Sequence, residues 1–563
     1  MAEYLSPGVY VEEYDNAPRG MESVGTSTAG FVGIAEKGSV KGAPVLVTNY
    51  AEFVRKFGGY FSEFAFGEYR YLAGAVEQFF INGGTRCYVA RVVPKDAKTA
   101  EFKNDMLTIR AASPGSWGNR ILLEFGEVTR KKMQLLEKKS DTVYVAKHTV
   151  GFEEGSLVKI GEEYNRIATI FGKEVTFEQE FAQEVTDTDL VPERVLYLVE
   201  LEVQVHCQDM TEVFSELSLS PSSQNEIQLR MKSGELATLK LDPEWRQELK
   251  NPVEQLLGEN ISSVVLEHGS DGTMEMINEG TFIGEDKGPG ERTGIQAFLE
   301  NTVVSIMAVP GITMPAVIVS LIAHCENTGS RFAVLDMPRD LTKPDKLLEY
   351  RELVDSTYAA MYHPWIQCFD RSAQRQEYFP PSGAVLGVYS RTDVTRGVHK
   401  APANETVSCT GLSIPFTKGE QDILNPAGVN LIRAMPGLGI RIWGARTASS
   451  NASFKYVNIR RLFIFVEESI KANTNWVVFE PNDEGLWNRV RQSISGFLNT
   501  LWRGGMFAGA TPAESYFVDI GPSTMTADDI QNGRLICNIG IAPSRPAEFV
   551  IFRVTQHTSE SGE

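Results

Sequence analysis

No stretch of this 563-residue chain approaches the roughly 20 consecutive apolar residues that a bilayer-spanning helix needs. The opening Met1-Ala2-Glu3-Tyr4 lacks the basic start and apolar core of a secretory signal. The expectation is a protein made and kept soluble in the cytosol, leaving the cell only by lysis or inside a larger particle. Cysteine is scarce: Cys87, Cys207, Cys325, Cys368, Cys409 and Cys537 are the six present. They show no paired spacing, which argues against a disulfide framework, fits a reduced compartment and marks them as small core residues. Positive charge is short as well, with 54 Lys and Arg against 73 Asp and Glu, a formal net charge of −19. So acidic a surface opposes the counterion release on which nucleic-acid binding depends, and no nucleic-acid partner is expected.

What is present is a globular composition, 42% hydrophobic and 23% charged, long enough for three or four domains. From residue 24 to about 105 strands and helices alternate. Gly30–Ala35 and Pro44–Thr48 read as strands, and Asn49 caps a short helix. Leu72, Ala75, Val76, Phe79 and Phe80 form one apolar helical face, stopped by Asn82-Gly83-Gly84 before a strand over Arg86–Val93. From 106 to 280 the texture changes to period-2 runs such as Val195–Val199 and Val203–Val205, broken by turns, which predicts an inserted and mostly β domain. The α/β pattern resumes near 288. Val303–Val309 and Arg331–Asp336 read as buried strands around a helix from Met314 to Glu326, the pattern of a parallel sheet covered on both faces. The last 110 or so residues predict two amphipathic helices. One carries Ile459, Leu462, Phe463, Val466 and Ile470; the other carries Leu486, Val490, Ile494, Phe497, Leu498 and Leu501, opened by Pro481-Asn482-Asp483. A strand is expected between them at Trp476–Glu480.

Both ends look like strands with nothing of their own to pair with: Leu5-Ser6-Pro7-Gly8-Val9-Tyr10-Val11 at the start and Glu548–Val554 after Pro543-Ser544-Arg545-Pro546. An unpaired edge is an aggregation hazard. Two of them make sense if neighbouring copies donate strands to one another, so the chain reads first as an assembly protein. Catalytic signatures are weaker. Gly25-Thr26-Ser27-Thr28-Ala29 echoes the nucleophile segment of subtilisin-like proteases, and His268-Gly269 is a second echo. That family needs Asp, His and Ser in that chain order, and here Ser27 comes first; no catalytic residue is assigned. The glycine-rich Gly284–Gly294 lacks the Gly-Lys-[Ser/Thr] ending of a phosphate loop, and Pro289 removes a donor. His206-Cys207 and His324-Cys325 are adjacent pairs that point apart, and no metal motif is present. Neither a metal nor a cofactor is expected. Arg441, Arg446, Lys455, Arg460 and Arg461 form a modest basic cluster, read either as a solvated helix face or as a contact for an acidic partner.

Several stretches in order resemble the contractile tail sheath family of phage tails, R-type bacteriocins and contractile injection systems: Tyr4–Glu13, Pro380–Asp393, Arg396–Asn404, Trp443–Thr447 and Tyr456–Leu462. The resemblance covers 106–280 least. It implies an α/β and α+β multidomain chain: an N-terminal extended arm (1–22), a subtilisin-like α/β sandwich domain that is no protease (23–105 and 281–430), the inserted β-rich domain (106–280), a C-terminal α+β sheath domain (431–545) and a C-terminal extended arm (546–563). It implies no enzyme but a subunit that stacks as six-membered rings around an inner tail tube and contracts to drive the tube through a target envelope. Self, the tube protein, and baseplate and terminator proteins would be its partners, with no membrane insertion. Assembly would take place in the host bacterial cytoplasm, and the product would be a virion tail or a released contractile particle. Leu5, Val9, Tyr10, Val11 and Glu12, with Phe549, Val550, Ile551, Phe552 and Val554, would be the exchanged strands, and the basic cluster a face toward the tube. The competing readings are a static tail or baseplate component and a subtilisin-like hydrolase.

Overall fold

A computed structural model describes residues 20–182 and 195–548. The residues expected to exchange, Leu5, Val9, Tyr10, Val11 and Glu12 and Phe549, Val550, Ile551, Phe552 and Val554, lie outside the described residues.

A nine-stranded sheet forms the centre. Its strands are β1 (Ala29–Ile34), β2 (Val45–Val47), β3 (Cys87–Val92), β4 (Ile306–Ala308), β5 (Phe332–Asp336), β6 (Ala359–His363), β7 (Glu405–Thr406), β8 (Val429–Met435) and β9 (Gly439–Ile442). They lie in the order β2-β3-β1-β4-β5-β6-β8-β9-β7. The six from β3 to β8 are parallel and the outer ones antiparallel. Alternate residues serve opposite faces, as the strand period requires. Phe31, Phe332 and Val334 join the core under helices α1 (Leu72–Ile81) and α3 (Ser382–Arg396). Val32, Ala333 and Leu335 join the core under helix α2 (Pro315–Thr328). Apolar residues on both faces explain why these strands read as unbroken runs. α1 and α3 pack backbone to backbone. A Cβ at Gly383 would stand 2.2 Å from the Ala75 carbonyl oxygen and one at Gly387 2.5 Å from that of Phe79, so only glycine at this i, i+4 pair permits the approach.

The expected strand Val303–Val309 is shorter, because the Asn301 side chain accepts from the backbone N–H groups of Val303 and Val304, at 2.9 Å each, and holds them in a turn. At the far end of β5, buried Asp336 accepts from the Ser382 N–H (2.8 Å), the Ser382 hydroxyl (2.6 Å) and the Gly311 N–H (2.9 Å), capping α3 from outside. Burial pushes its pKa up to about 6 against the pull of those donors. A folded-state pKa above the unfolded one means that ionised Asp336 costs stability above pH 6, and the cost is relieved as pH falls through 6 toward 4. The stability difference between the wild type and Asp336→Asn is therefore expected to move in favour of the wild type by roughly 2 kcal/mol between pH 7 and 4.5. Denaturant unfolding at the two pH values measures it.

The inserted segment is β-rich, as its patterning predicts. Its two ends run side by side: Lys98 and Ser270 exchange backbone hydrogen bonds, and so do Glu101 and Glu267. A four-stranded sheet and a three-stranded sheet that includes Glu101–Lys103 enclose Trp117, Phe125, Val203 and Leu239. Between Ile121–Val128 and Glu200–Cys207 a second unit closes on itself. Lys132–Met133 pairs with Leu196–Leu198, and Leu135–Lys138, just beyond, pairs with Val143–Ala146 at the opposite edge of the same sheet. The result is a small barrel around Tyr144, Val158, Ile167 and Phe177.

Toward the C-terminus, helices α4 (Val457–Asn473) and α5 (Glu484–Arg503) and the antiparallel pair β10 (Tyr516–Ile520) and β11 (Cys537–Ile541) share one core, with Leu462, Phe465, Val490, Ile494 and Leu498 at its centre. Asp483 caps α5 by accepting from the Leu486 N–H at 2.8 Å. The expected strand at Trp476–Glu480 is absent. Asn475–Val477 makes a 3₁₀ turn, and Phe479 stands fully exposed with φ of 69°. The run of aromatic and β-branched residues has no strand edge beside it to pair with, so the short α4–α5 connection decides its conformation.

Candidate functional site

The segment that echoes a protease nucleophile is a structural joint. The Thr26 hydroxyl donates to Asp393 of α3 at 2.6 Å, the Arg461 guanidinium of α4 donates to the Thr26 carbonyl at 2.9 Å, and the same guanidinium pairs with Asp393. Thr28 accepts from Arg86 at 2.8 Å, and its carbonyl accepts from the Ser305 and Ile306 N–H groups. His268 is exposed, with φ of 68°, beside Glu267 at the neck of the insert. His324 is buried against Arg331, and burial, with that cation's charge added, lowers its pKa to about 4. In the Gly284–Gly294 loop Arg292 holds Asp286 and Glu300, and the Gly290 N–H donates to Glu300 at 2.7 Å. Its polar groups are engaged within the loop and by Lys41, Gly42 and Glu300 beside it.

The five basic residues are not one exposed patch. Arg461 and Asp393 form an ion pair with both side chains 3% exposed, and the guanidinium lies over the Tyr389 ring at 4.8 Å. Arg460 is sandwiched by the rings of Phe454 (3.6 Å) and Tyr358 (4.6 Å). Arg446 is buried and bonds Glu548 through Nε at 2.8 Å and Nη2 at 2.7 Å. Lys455 is 40% exposed with Glu548 4.0 Å away, and Arg441 donates to the Asn404 and Leu438 carbonyls. Of the five, then, Arg446, Arg460 and Arg461 are withdrawn from any face by partners 68 to 435 residues distant in the chain or by aromatic rings. Helical spacing shows where such charges sit along the helix, but not which distant group meets them.

Glu548 is the centre that sequence reasoning missed. Besides Arg446 it accepts from the Asn425 amide at 2.7 Å and the Tyr456 hydroxyl at 2.9 Å. Burial raises its pKa, but the hydrogen bonds from Arg446, Asn425 and Tyr456 outweigh burial and hold it below the usual carboxylate range. The bidentate fork fixes direction as well as position. Glu548 immediately precedes the apolar Phe549–Val554 run in the sequence, so the clasp fixes the chain at the residue before that run. Its one sequence signal is a lone acid between a proline-rich break and an apolar run.

The pair β10–β11 has no further strand on either edge among the described residues. Two strands alone are marginal in water, and this pair leans on α5 with one partly covered face while Phe517 is 59% exposed.

Comparison with known proteins fits these features. Residues 287–448 match the family model described as the phage tail sheath protein central domain, and 449–557 match that of the phage tail sheath C-terminal domain. A putative prophage major tail sheath protein of Pseudomonas aeruginosa is 26% identical over 284 residues, 48% of this chain and 71% of that protein. The sheath of an extracellular contractile injection system in its contracted state superposes with a TM-score of 0.53 at 20% identity, covering 99% of each chain. A sheath tail protein of Listeria innocua gives 0.53 at 10% identity over 93% of this chain and 96% of its own. At these identities the two structural likenesses are likenesses of fold.

Proposed function

Over residues 287–557 the chain belongs to the phage tail sheath family and is a sheath subunit; from that premise we propose how it works. Copies stack as six-membered rings around an inner tube, and strands from the terminal arms of one copy extend the β10–β11 pair of another. The observation that carries this reading is the two-stranded sheet with both edges unpaired among the described residues, in a chain clasped at Glu548 just before the C-terminal arm of the sequence. Strand addition satisfies the open backbone groups and adds apolar cover. It is a heterologous contact, and such contacts propagate into helical arrays.

On contraction the globular bodies re-dock while the backbone pairing survives. Energy of only a few kcal/mol per subunit, released on re-docking, sums along many copies into a one-way stroke. The nine-stranded sheet with helices on both faces serves as a rigid, subtilisin-like body without enzymatic work, consistent with Thr26 and Thr28 being engaged in joints. Arg441 and Lys455 are what remains of the basic cluster for a tube-facing contact. Baseplate and terminator proteins would cap the cylinder, assembled in a bacterial cytoplasm and carried in a tail or released particle; no helix among the described residues is long and apolar enough to cross a membrane.

Electron micrographs of the purified full chain test this. Hollow, ridged cylinders are the expected result. Particles that stay monomeric at high concentration, with or without tube protein, would refute the sheath mechanism.

A further inference from the structure

A cleft of about 1260 Å³ lies between the outer end of the main sheet and the root of the C-terminal arm, reached by β7, the β8–β9 hairpin, Tyr456 and residues 544–548. Its charge is opposite to that of the chain as a whole. Arg446 and Lys400 are neutralised by Glu548 and Glu405. Arg396, Lys418 and Arg545 also line it and form no ion pair among the described residues, and Arg433 bonds only the neutral Gln421. Asp422 is the remaining acid on its wall. Four cations without an ion-pair partner, against Asp422 alone, surround one concavity in a chain of net charge −19 and form a local positive field that favours a carboxylate-bearing occupant.

We propose that this cleft receives the acid-rich stretch Glu12-Glu13-Tyr14-Asp15 of the N-terminal arm of a second copy. The inference rests on the sheath reading and adds to it an electrostatic seat next to the β10–β11 pair, because β11 ends at Ile541 and the C-terminal part of the cleft wall begins at Ser544. Two observations select that occupant. The first is charge: residues 1–19 carry Glu3, Glu12, Glu13 and Asp15 against Arg19 alone. The second is where the arm starts. Thr26 is held at Arg461, Val24 at Ser469 (3.2 Å) and Glu22 at Asn473 (3.0 Å). Going back toward the N-terminus, the chain therefore runs along α4 toward that helix's C-terminal end. The cleft is at the other end, beside Tyr456, about 24 Å away along a 17-residue helix. Glu12 lies eight positions before Gly20, a full reach of about 28 Å. The arm of the same copy would have to reverse at once and run fully extended to arrive, whereas a neighbour's arm meets no such demand.

The test uses cylinders assembled from a mixture of isotopically heavy and light full-length chains, treated with a zero-length carbodiimide cross-linker. The expected product joins Lys418 to Glu12 or Glu13 in heavy–light pairs. Lys418 linked only within one copy, or only to Glu560 or Glu563 of the C-terminal tail, overturns the proposal. A second measurement does not need cylinders. A labelled peptide of residues 1–19 is titrated into the full chain, with the exposed double variant K418E/R545E as comparison. Binding should weaken about tenfold or more in the variant, and again as salt rises, with circular dichroism unchanged. Equal binding to both proteins, or none to either, refutes the seat. Charge-dependent peptide binding by a chain that never forms cylinders would sustain the seat and sink the sheath mechanism instead.

Discussion

A chain cut after Glu548 is expected to fold with its stability unaltered and to build no cylinders. The position of the cut matters. Removing residues from 546 onward deletes Glu548 along with the arm and strips Arg446, Asn425 and Tyr456 of their shared partner. A cut after Glu548 keeps the clasp and removes only the strand. What each subunit then forfeits is several net backbone hydrogen bonds at about 1 kcal/mol each. It also loses the burial of alternating side chains, Phe549 and Ile551 on one face and Val550, Phe552 and Val554 on the other, at about 1.5–3 kcal/mol for each that is fully covered. Even after the ordering costs of the arm, that loss exceeds what a weak re-docking interface supplies. Sedimentation and electron microscopy should find monomers where the full chain gives cylinders, with unchanged denaturant midpoints. Long cylinders from the truncated chain would end the strand-exchange account. Glu548→Ala in the full chain isolates the role of the clasp, since the arm is present but free to splay, and shorter, irregular cylinders are expected.

Much of the fold was legible in the sequence because its signals are local. The apolar face of α1, the unbroken strands β1 and β5 and the stripe along α5 each follow from periodicity that burial enforces. The cap at Asp483 and the stop at Asn82 follow from side chains that satisfy helix-end groups nearby; Asn82 donates to the Gln78 carbonyl at 2.9 Å. Errors came where the lack of a neighbouring strand decides, or where a nearby side chain competes with the strand for backbone N–H groups. Trp476–Glu480 has strand composition and no strand beside it. Val303 and Val304 are captured by Asn301.

The candidate site was legible only in part. The apolar character of both termini stands in the sequence itself, while the exchange expected of them falls on residues outside the described ones. The conversion of Arg446, Arg460 and Arg461 from a supposed surface cluster into internal ties depends on Glu548, Phe454, Tyr358 and Asp393, which only the folded chain brings together. Glycines 383 and 387 lay within a recognisable stretch, but their reason, the backbone of α1 pressed against them, is three-dimensional.

Replacing Asp393 with alanine is expected to cost about 3–5 kcal/mol, the range for removing one partner of a buried ion pair. Both side chains are 3% exposed, so water cannot take the place of the lost carboxylate, and Arg461 is left as an uncompensated cation beneath the Tyr389 ring. The Thr26 hydroxyl loses its acceptor as well. Denaturant unfolding measures the loss, and a cost under about 1 kcal/mol would show that the pair carries no such weight. Pairing Asp393→Leu with Arg461→Met should recover much of the deficit, because apolar replacement of both ions leaves no charge stranded. The consequence for motion follows from what the pair joins. Asp393 lies on α3 against the main sheet, Arg461 on α4 in the C-terminal core, and Thr26 on the segment leading from the N-terminal arm into β1. Three segments fixed at one buried point move as one body. A sheath built of such subunits must place its flexibility outside that point, and a variant that loosens the joint should assemble yet contract incompletely.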